Sequence, residues 1–209
     1  MVFLTPQGVA AAWSFRKELT YVLLAFLAIL LMPVIAVVIL TNAGINIVSD
    51  KLVSFDSKTQ KIEIHNPIDG SVIATIDKVI AWPVKGVITL EFGQMDLPYQ
   101  PFHTGIDIAN PRHLIGDPIT PFMEGKVTYA GEISWGFGKH IIIDNGDNIQ
   151  SIYAHLDKIY VYVGQKVKPG DIIGEEGETG WATGPHLHFQ INIFGIPVNP
   201  RIFLGEGNP

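Results

Sequence analysis

The sequence predicts a mainly β protein, a small antiparallel barrel or sandwich, preceded by one transmembrane α-helix. Three observations carry that expectation. From Trp82 onward, short β-branched runs alternate with Gly, Pro, Asn and Asp punctuation, and no run keeps a helical period. Glycine (21) and proline (14) are frequent while charged residues make up only 16%, which suits short strands joined by tight turns. From Leu19 to Ser49 there is no charged residue at all. The 209 residues suffice for one domain with a sizeable core plus an extension. The expected division is a cytoplasmic N-terminus over 1–18, a transmembrane helix over 19–41, a β-hairpin connector over 42–81 and the β domain over 82–209.

Within the charge-free stretch, Tyr21 to Leu40 reads YVLLAFLAILLMPVIAVVIL. That is about 20 residues, or about 30 Å as a helix, the thickness of a bilayer's hydrocarbon core. Arg16 and Lys17 precede it and Asp50 follows, so the N-terminus is expected in the cytoplasm and Val53 onward outside. Pro33 is tolerated in a membrane helix and is expected to bend it. A cleaved signal peptide has a shorter apolar region ending at a small-x-small site, and Thr41-Asn42-Ala43-Gly44 makes a poor one. A buried soluble helix would show a polar face at helical period, and none is present.

In the connector, Lys61-Ile62-Glu63-Ile64-His65 alternates, Asn66-Pro67-Ile68-Asp69-Gly70 is a turn, and Ser71 to Ile76 can return as the partner strand, with His65 on the solvent face. In the β domain the candidate strands are Val87–Phe92, Gly125–Ala130, His140–Asp144, Ile149–Ala154, Val161–Val163, Ile172–Gly174 and His186–Ile193. Asn145-Gly146 predicts a hairpin between two of them. Gly116-Asp117-Pro118-Ile119 leading to Gly125 is echoed by Gly170-Asp171-Ile172-Ile173 leading to Gly177, which hints at two related β units closing on each other.

Charge and composition exclude some chemistries. With no cysteine there is neither a disulfide framework nor a thiolate metal site, so any metal must be held by His and carboxylate. A formal charge of −6 argues against a nucleic-acid-binding surface.

Three short histidine elements remain. In Gly184-Pro185-His186-Leu187-His188-Phe189, strand alternation sends both histidines to one face and Leu187 and Phe189 to a core. In Phe102-His103-Thr104-Gly105-Ile106-Asp107, the prolines and β-branched residues nearby argue against a helix. In a flat strand His103 and Asp107 would lie about 13 Å apart at the backbone. To share one metal the segment must curl, and Gly105 accepts the required backbone angles cheaply. In Ser151-Ile152-Tyr153-Ala154-His155-Leu156, His155 has the strand parity of Ser151 and Tyr153. Together His103, Asp107 and His188 make a two-nitrogen, one-oxygen set with a fourth position open, the pattern of a catalytic zinc. His155 and His186 are left over near that position, suited to proton transfer or oxyanion stabilisation.

HTGID, then SIYAHL, then GWATGPHLHF, in this order and with these gaps, resembles the lysostaphin/LytM-type zinc metallopeptidases that cut peptidoglycan cross-links. The turns GDPITPFMEGKVTYAG, GFGKHIIIDNG and VGQKVKPGDIIGEEGETG fit as well, and the resemblance covers roughly Trp82 to Arg201. It implies a LytM-like antiparallel β fold with a duplicated hybrid motif and a narrow groove floored by Zn2+. It also implies His103, Asp107 and His188 as metal ligands and His155 and His186 as the catalytic pair, with the acid and base not distinguished. His140 in the GFGKHIIID strand and Phe122 depart slightly from the pattern. His113 is expected in solvent, and Trp135, Phe137, Trp181 and Tyr153 are each candidates for the groove lining or for an ordinary packing role.

The chain is therefore expected to be a zinc endopeptidase held in the cell membrane by a single-pass anchor, with its catalytic domain extracytoplasmic and peptidoglycan peptide as substrate. No separate wall-binding module fits in the 209 residues, and partners in an envelope complex are unidentified. The alternative is a catalytically silent LytM-like domain that regulates another hydrolase or serves an envelope machine. GQKVKPGDIIGEEG also resembles turns of biotin- and lipoyl-carrier domains, but Lys139 matches their modified lysine poorly.

Overall fold

A computed structural model describes residues 6–77, 81–95 and 102–205, with side chains placed for all of these except 6–16, 33–40 and 42. It divides into two compact units, Met1–Thr41 and Asn42–Pro209. Helix α1 (Pro6–Leu52) carries the apolar run. Its side chains from Lys17 to Met32 are exposed, among them Leu19, Leu23, Phe26 and Ile29. Among the described residues no helix is long and apolar enough to cross a membrane. The transmembrane helix expected over 19–41 is thus not shown, and residues 33–40, which complete the span and include Pro33, lie outside the described side chains.

In the second unit, the expected hairpin is a three-stranded antiparallel sheet of β1 (Val53–Asp56), β2 (Lys61–His65) and β3 (Val72–Asp77). The alternation of β2 puts Ile62 and Ile64 wholly out of solvent. They belong to the same apolar core as the rest of the unit, so this segment is more than a connector. His65 is half-buried and not a free surface group: its Nε2 lies 2.8 Å from Ser54 Oγ.

The main sheet is antiparallel and has eight strands. They are β4 (Val87–Leu90), β5 (Ile106–Ala109), β7 (Gly125–Glu132), β8 (Lys139–Gly146), β9 (Ile149–Ala154), β11 (Lys166–Val167), β13 (Leu187–Ile193) and β14 (Ile196–Val198). Their order is β11-β7-β8-β9-β13-β5-β4, with β14 also paired to β13. A third sheet joins β10 (Lys158–Ile159), β12 (Gly174–Glu175) and β6 (Pro118–Ile119). The closed barrel does not form among the described residues. The main sheet ends at β11 and at β4, and the two-residue strands that might have bridged it pair among themselves instead. The segments that echo each other in sequence do meet, since Ile119 and Gly174 are direct partners.

Two local expectations shift. Val161–Val163 forms no strand. The hairpin between β8 and β9 turns at Asp147-Asn148, both in the left-handed region (φ 48° and 62°), while Gly146 stays in the strand opposite Ile149. Asp and Asn tolerate that region. Asn145 does something else: its Nδ2 donates to Glu124 O at 3.0 Å and its Oδ1 accepts from Ser151 Oγ at 2.8 Å.

One apolar core runs beneath all three sheets, with Ile119, Phe122, Tyr153, Ile173 and Phe189 fully buried. The Tyr153 hydroxyl accepts the Phe122 N–H at 3.0 Å, so Tyr153 and Phe122 are packing residues and not groove lining. Strand β13 is buried along its whole length. Its alternation sends Leu187, Phe189, Ile191 and Ile193 to the core, and His188, Gln190 and Asn192 to the opposite face, where the site lies.

Candidate metal centre and its cleft

Register brings the first two site residues together. Asp107 on β5 and His188 on β13 are direct cross-strand partners, the position at which side chains on one face of an antiparallel pair touch. His103 reaches them from the excursion between β4 and β5, whose backbone is pinned by Gly93 N–H to His103 O (2.8 Å) and His103 N–H to Gln94 O (2.7 Å). The segment does curl, as expected, but the role of Gly105 is different. A Cβ there would meet Phe189 O at 2.3 Å, so glycine is required by close approach to β13 and not by a left-handed backbone.

The three residues present His103 Nε2, Asp107 Oδ1 and His188 Nδ1 to a common point, with pairwise separations of 2.8, 3.0 and 3.0 Å. All three are buried. Tetrahedral bonds of about 2.0–2.2 Å set ligand atoms about 3.3 Å apart, so a few tenths of an ångström of opening admits an ion. Each histidine has its other nitrogen engaged. His103 Nδ1–H donates to Glu91 O at 3.3 Å, and His188 Nε2–H donates to Gln190 Oε1 at 3.4 Å. That arrangement leaves one lone pair per ring directed inward, as metal ligation requires. Burial pushes the Asp107 carboxyl up, but where the facing nitrogens of His103 and His188 carry protons instead of meeting a cation, their hydrogen bonds and charge outweigh it and hold the group well below the usual carboxylate range. Two imidazole nitrogens and a carboxylate oxygen, without sulfur, fit Zn2+.

His186 and His155 stand beside this triangle and outside it. His186 Nε2 is 3.6 Å from Asp107 Oδ2, with its Nδ1–H donating to Gly184 O at 2.8 Å. The His155 ring lies 4.8 Å from that of His186 and 5.8 Å from that of His188, centroid to centroid. His155 does not keep strand parity, because β9 ends at Ala154 and His155 takes φ 62°. Its Nδ1–H donates to Thr179 O at 2.8 Å, which leaves Nε2 as the acceptor. Burial first, then the neighbouring His188 and His186, push its pKa down to about 3, so the ring is neutral at neutral pH.

A cleft of about 400 Å³ opens over these groups, walled by Trp135, Phe137 and Trp181. The two tryptophans are about half exposed or more, with rings 6.2 Å apart. Their loops are locked together: Trp181 N–H donates to Gly136 O at 2.8 Å, and Thr179 Oγ accepts from Lys139 N–H and donates to Leu156 O, each at 2.9 Å. Thr179 thus orients His155 and fastens the aromatic wall at once. The locking depends on glycine, since Gly180 has φ 72° and a Cβ there would meet Gly136 O at 2.3 Å. Gly180→Ala is expected to cost about 2–3 kcal/mol of stability and to displace both tryptophans. Thermal unfolding checks the first effect, and an unchanged melting temperature contradicts the locked-loop picture.

The remaining sequence candidates lie elsewhere. His113 is exposed. His140 is buried, stacked on Tyr129 at 4.3 Å with its Nδ1–H on Gly138 O, and so belongs to the packing under the cleft. Thr179, Thr104, Glu91 and Gln190 also join the site, though the histidine motifs do not mark them. Only Gln190 carried a sequence signal, being two residues from His188 on the same strand.

Comparison with known proteins agrees with this geometry. Residues 101–200 match the family model of Peptidase family M23. DD-carboxypeptidase/endopeptidase Mpg of Neisseria meningitidis is 40% identical over 98 residues, 47% of this chain and 22% of that protein. Murein hydrolase activator NlpD of Salmonella typhimurium is 37% identical over 125 residues, 60% of this chain and 31% of that protein. The chain thus spans between a fifth and a third of the length of these curated relatives. The catalytic domain of the antimicrobial peptidase lysostaphin from Staphylococcus simulans superposes with a TM-score of 0.53 at 33% identity, over 58% of this chain and 93% of that one. With the fold, the buried His-Asp-His cluster and these likenesses in agreement, the chain belongs to peptidase family M23.

Proposed function

We propose that this chain is a membrane-anchored, zinc-dependent endopeptidase that cuts the peptide cross-links of peptidoglycan. The observation that carries the proposal is the meeting of His103 Nε2, Asp107 Oδ1 and His188 Nδ1 within 3.0 Å of one another at the floor of an open cleft. When bound there, zinc supplies a Lewis acid that acidifies water and polarises a peptide carbonyl. The chain's own residues do the rest. His155, held neutral by burial and fixed through Nδ1–H to Thr179, takes a proton at Nε2. His186, fixed in the same way to Gly184, faces the same space and shares the proton traffic and the stabilisation of developing negative charge. Trp135, Phe137 and Trp181 exclude water and hold the substrate's flanks. Among the described residues no Lys or Arg lines the cleft, which suits an uncharged stretch of peptide.

Two features support the anchor: the uncharged run behind Arg16 and Lys17, and the exposed apolar side chains of α1 from Leu19 to Met32. A hydrolase held in the membrane would be concentrated at the wall. The similarity to NlpD favours a second reading, an activator with a silent site. One experiment separates them. The full chain, recovered from alkali-washed membranes, is expected to carry one zinc and to release peptides from purified sacculi in a chelator-sensitive way. Stoichiometric folding without zinc or hydrolysis would leave the activator reading.

A further inference from the structure

We propose that Gln190 is the positioning residue of the metal centre: it fixes the tautomer of His188 and ties β13 to the 103–107 segment. The proposal rests on the metal-site reading above. Gln190 is 5% exposed and sits on the same face of β13 as His188. Its side chain is used at both ends. Oε1 accepts Thr104 Oγ–H at 2.6 Å and His188 Nε2–H at 3.4 Å, while Nε2 donates to Asn192 Oδ1 at 2.7 Å.

On the metal-site reading His188 keeps its Nδ1 lone pair for the triangle with His103 and Asp107, so its proton sits on Nε2. That donor needs an acceptor, which places Gln190 Oε1 toward the site and its NH2 toward Asn192. Thr104 lies directly between His103 and Gly105, whose backbone is pressed against Phe189 O. The hydroxyl of Thr104 therefore couples the two chain segments that supply all three ligands. It adds a side-chain tie to the backbone pairing of Ile106, Asp107 and Ile108 with β13. A buried amide with both ends engaged is costly to replace by an apolar group, because Thr104, His188 and Asn192 each lose a partner.

The test is zinc affinity of the full-length protein, measured by competition with a chromophoric chelator, alongside the melting temperature of the metal-free form. Gln190→Leu is expected to weaken zinc binding about 10–100-fold, the usual effect of losing a hydrogen-bond partner behind a ligating histidine. Gln190→Glu is expected to restore affinity to within a few-fold of the parent, since a carboxylate accepts from both His188 and Thr104 and the Asn192 amide can turn to donate. Thr104→Val, at a half-buried position, removes one coupling contact and is expected to weaken zinc binding several-fold even if Gln190→Leu does not fold. A general packing role predicts a different pattern, in which Leu and Glu variants lose metal-free stability together and Glu gives no rescue. Parent-like affinity in both Gln190→Leu and Thr104→Val, or failure of Glu to rescue, overturns the proposal. If the parent itself binds no zinc, the metal-site reading falls and this proposal falls with it.

Discussion

His188→Ala is expected to lose both zinc and hydrolysis, whereas His155→Ala keeps zinc and loses only hydrolysis. The two histidines lie side by side, yet they differ in what they face. His188 supplies one corner of a triangle with sides of 2.8–3.0 Å, and removing it leaves two ligands and a buried carboxylate without one of the partners that hold it ionised. His155 stands outside that triangle and touches it through its ring contact with His188. Its loss removes a neutral proton acceptor, worth about 10²–10⁴-fold in turnover, and leaves the ligand atoms where they were. Metal content by atomic spectroscopy and fragment release from sacculi read the two effects separately. Parent-level turnover in either variant contradicts the assigned roles, and zinc retained by His188→Ala removes that residue from the ligand set.

How much of this was visible beforehand follows from the range of the forces involved. The His-Asp-His cluster is legible because the motifs HTGID and GPHLHF place His and Asp where strand alternation and one curl suffice, and β5–β13 pairing then sets Asp107 against His188. Alternation also identifies Ile62, Ile64, Leu187 and Phe189 as core. Parity fails at His155, because nothing local announces that β9 stops at Ala154 and the next residue turns left-handed. Thr179 could not be found from its own surroundings, since its partners Lys139, His155 and Leu156 are distant in the chain. The expected barrel fails to close for the same reason: short strands fix turns and faces locally, but closure depends on which edges meet, and those contacts are long-range. The glycines show the limit in another form. Gly105 and Gly180 look alike in sequence, yet Phe189 O excludes a side chain from one, and both a left-handed backbone and Gly136 O exclude it from the other.

Glu176→Gln is expected to stabilise the protein at pH 8 by about 2–3 kcal/mol and to change little at pH 4. Glu176 has no exposed surface, and its Oε2 has no hydrogen-bond partner among the described residues. Its Oε1 accepts only the Asn110 N–H, at 3.3 Å. Burial is the main force that pushes the carboxyl up to about 7; the Asn110 N–H works against it and the nearby Asp117 charge adds to it. The ordinary value of 4.5 applies to the unfolded chain. Below that value both states are protonated and the glutamate costs nothing. Between 4.5 and about 7 the unfolded chain sheds its proton while the native state keeps it, so stability falls as pH rises, and above about 7 the loss is complete. Glutamine keeps the shape and the acceptor for Asn110 without the charge, so the variant follows the parent at low pH and separates from it as pH rises. Urea unfolding at pH 4, 6 and 8 measures the gap directly. A difference between variant and parent that stays constant across this range would show that Glu176 is already compensated in the native state. The orphaned oxygen would then have a partner in solution, and the pH slope assigned to it here would belong to another group.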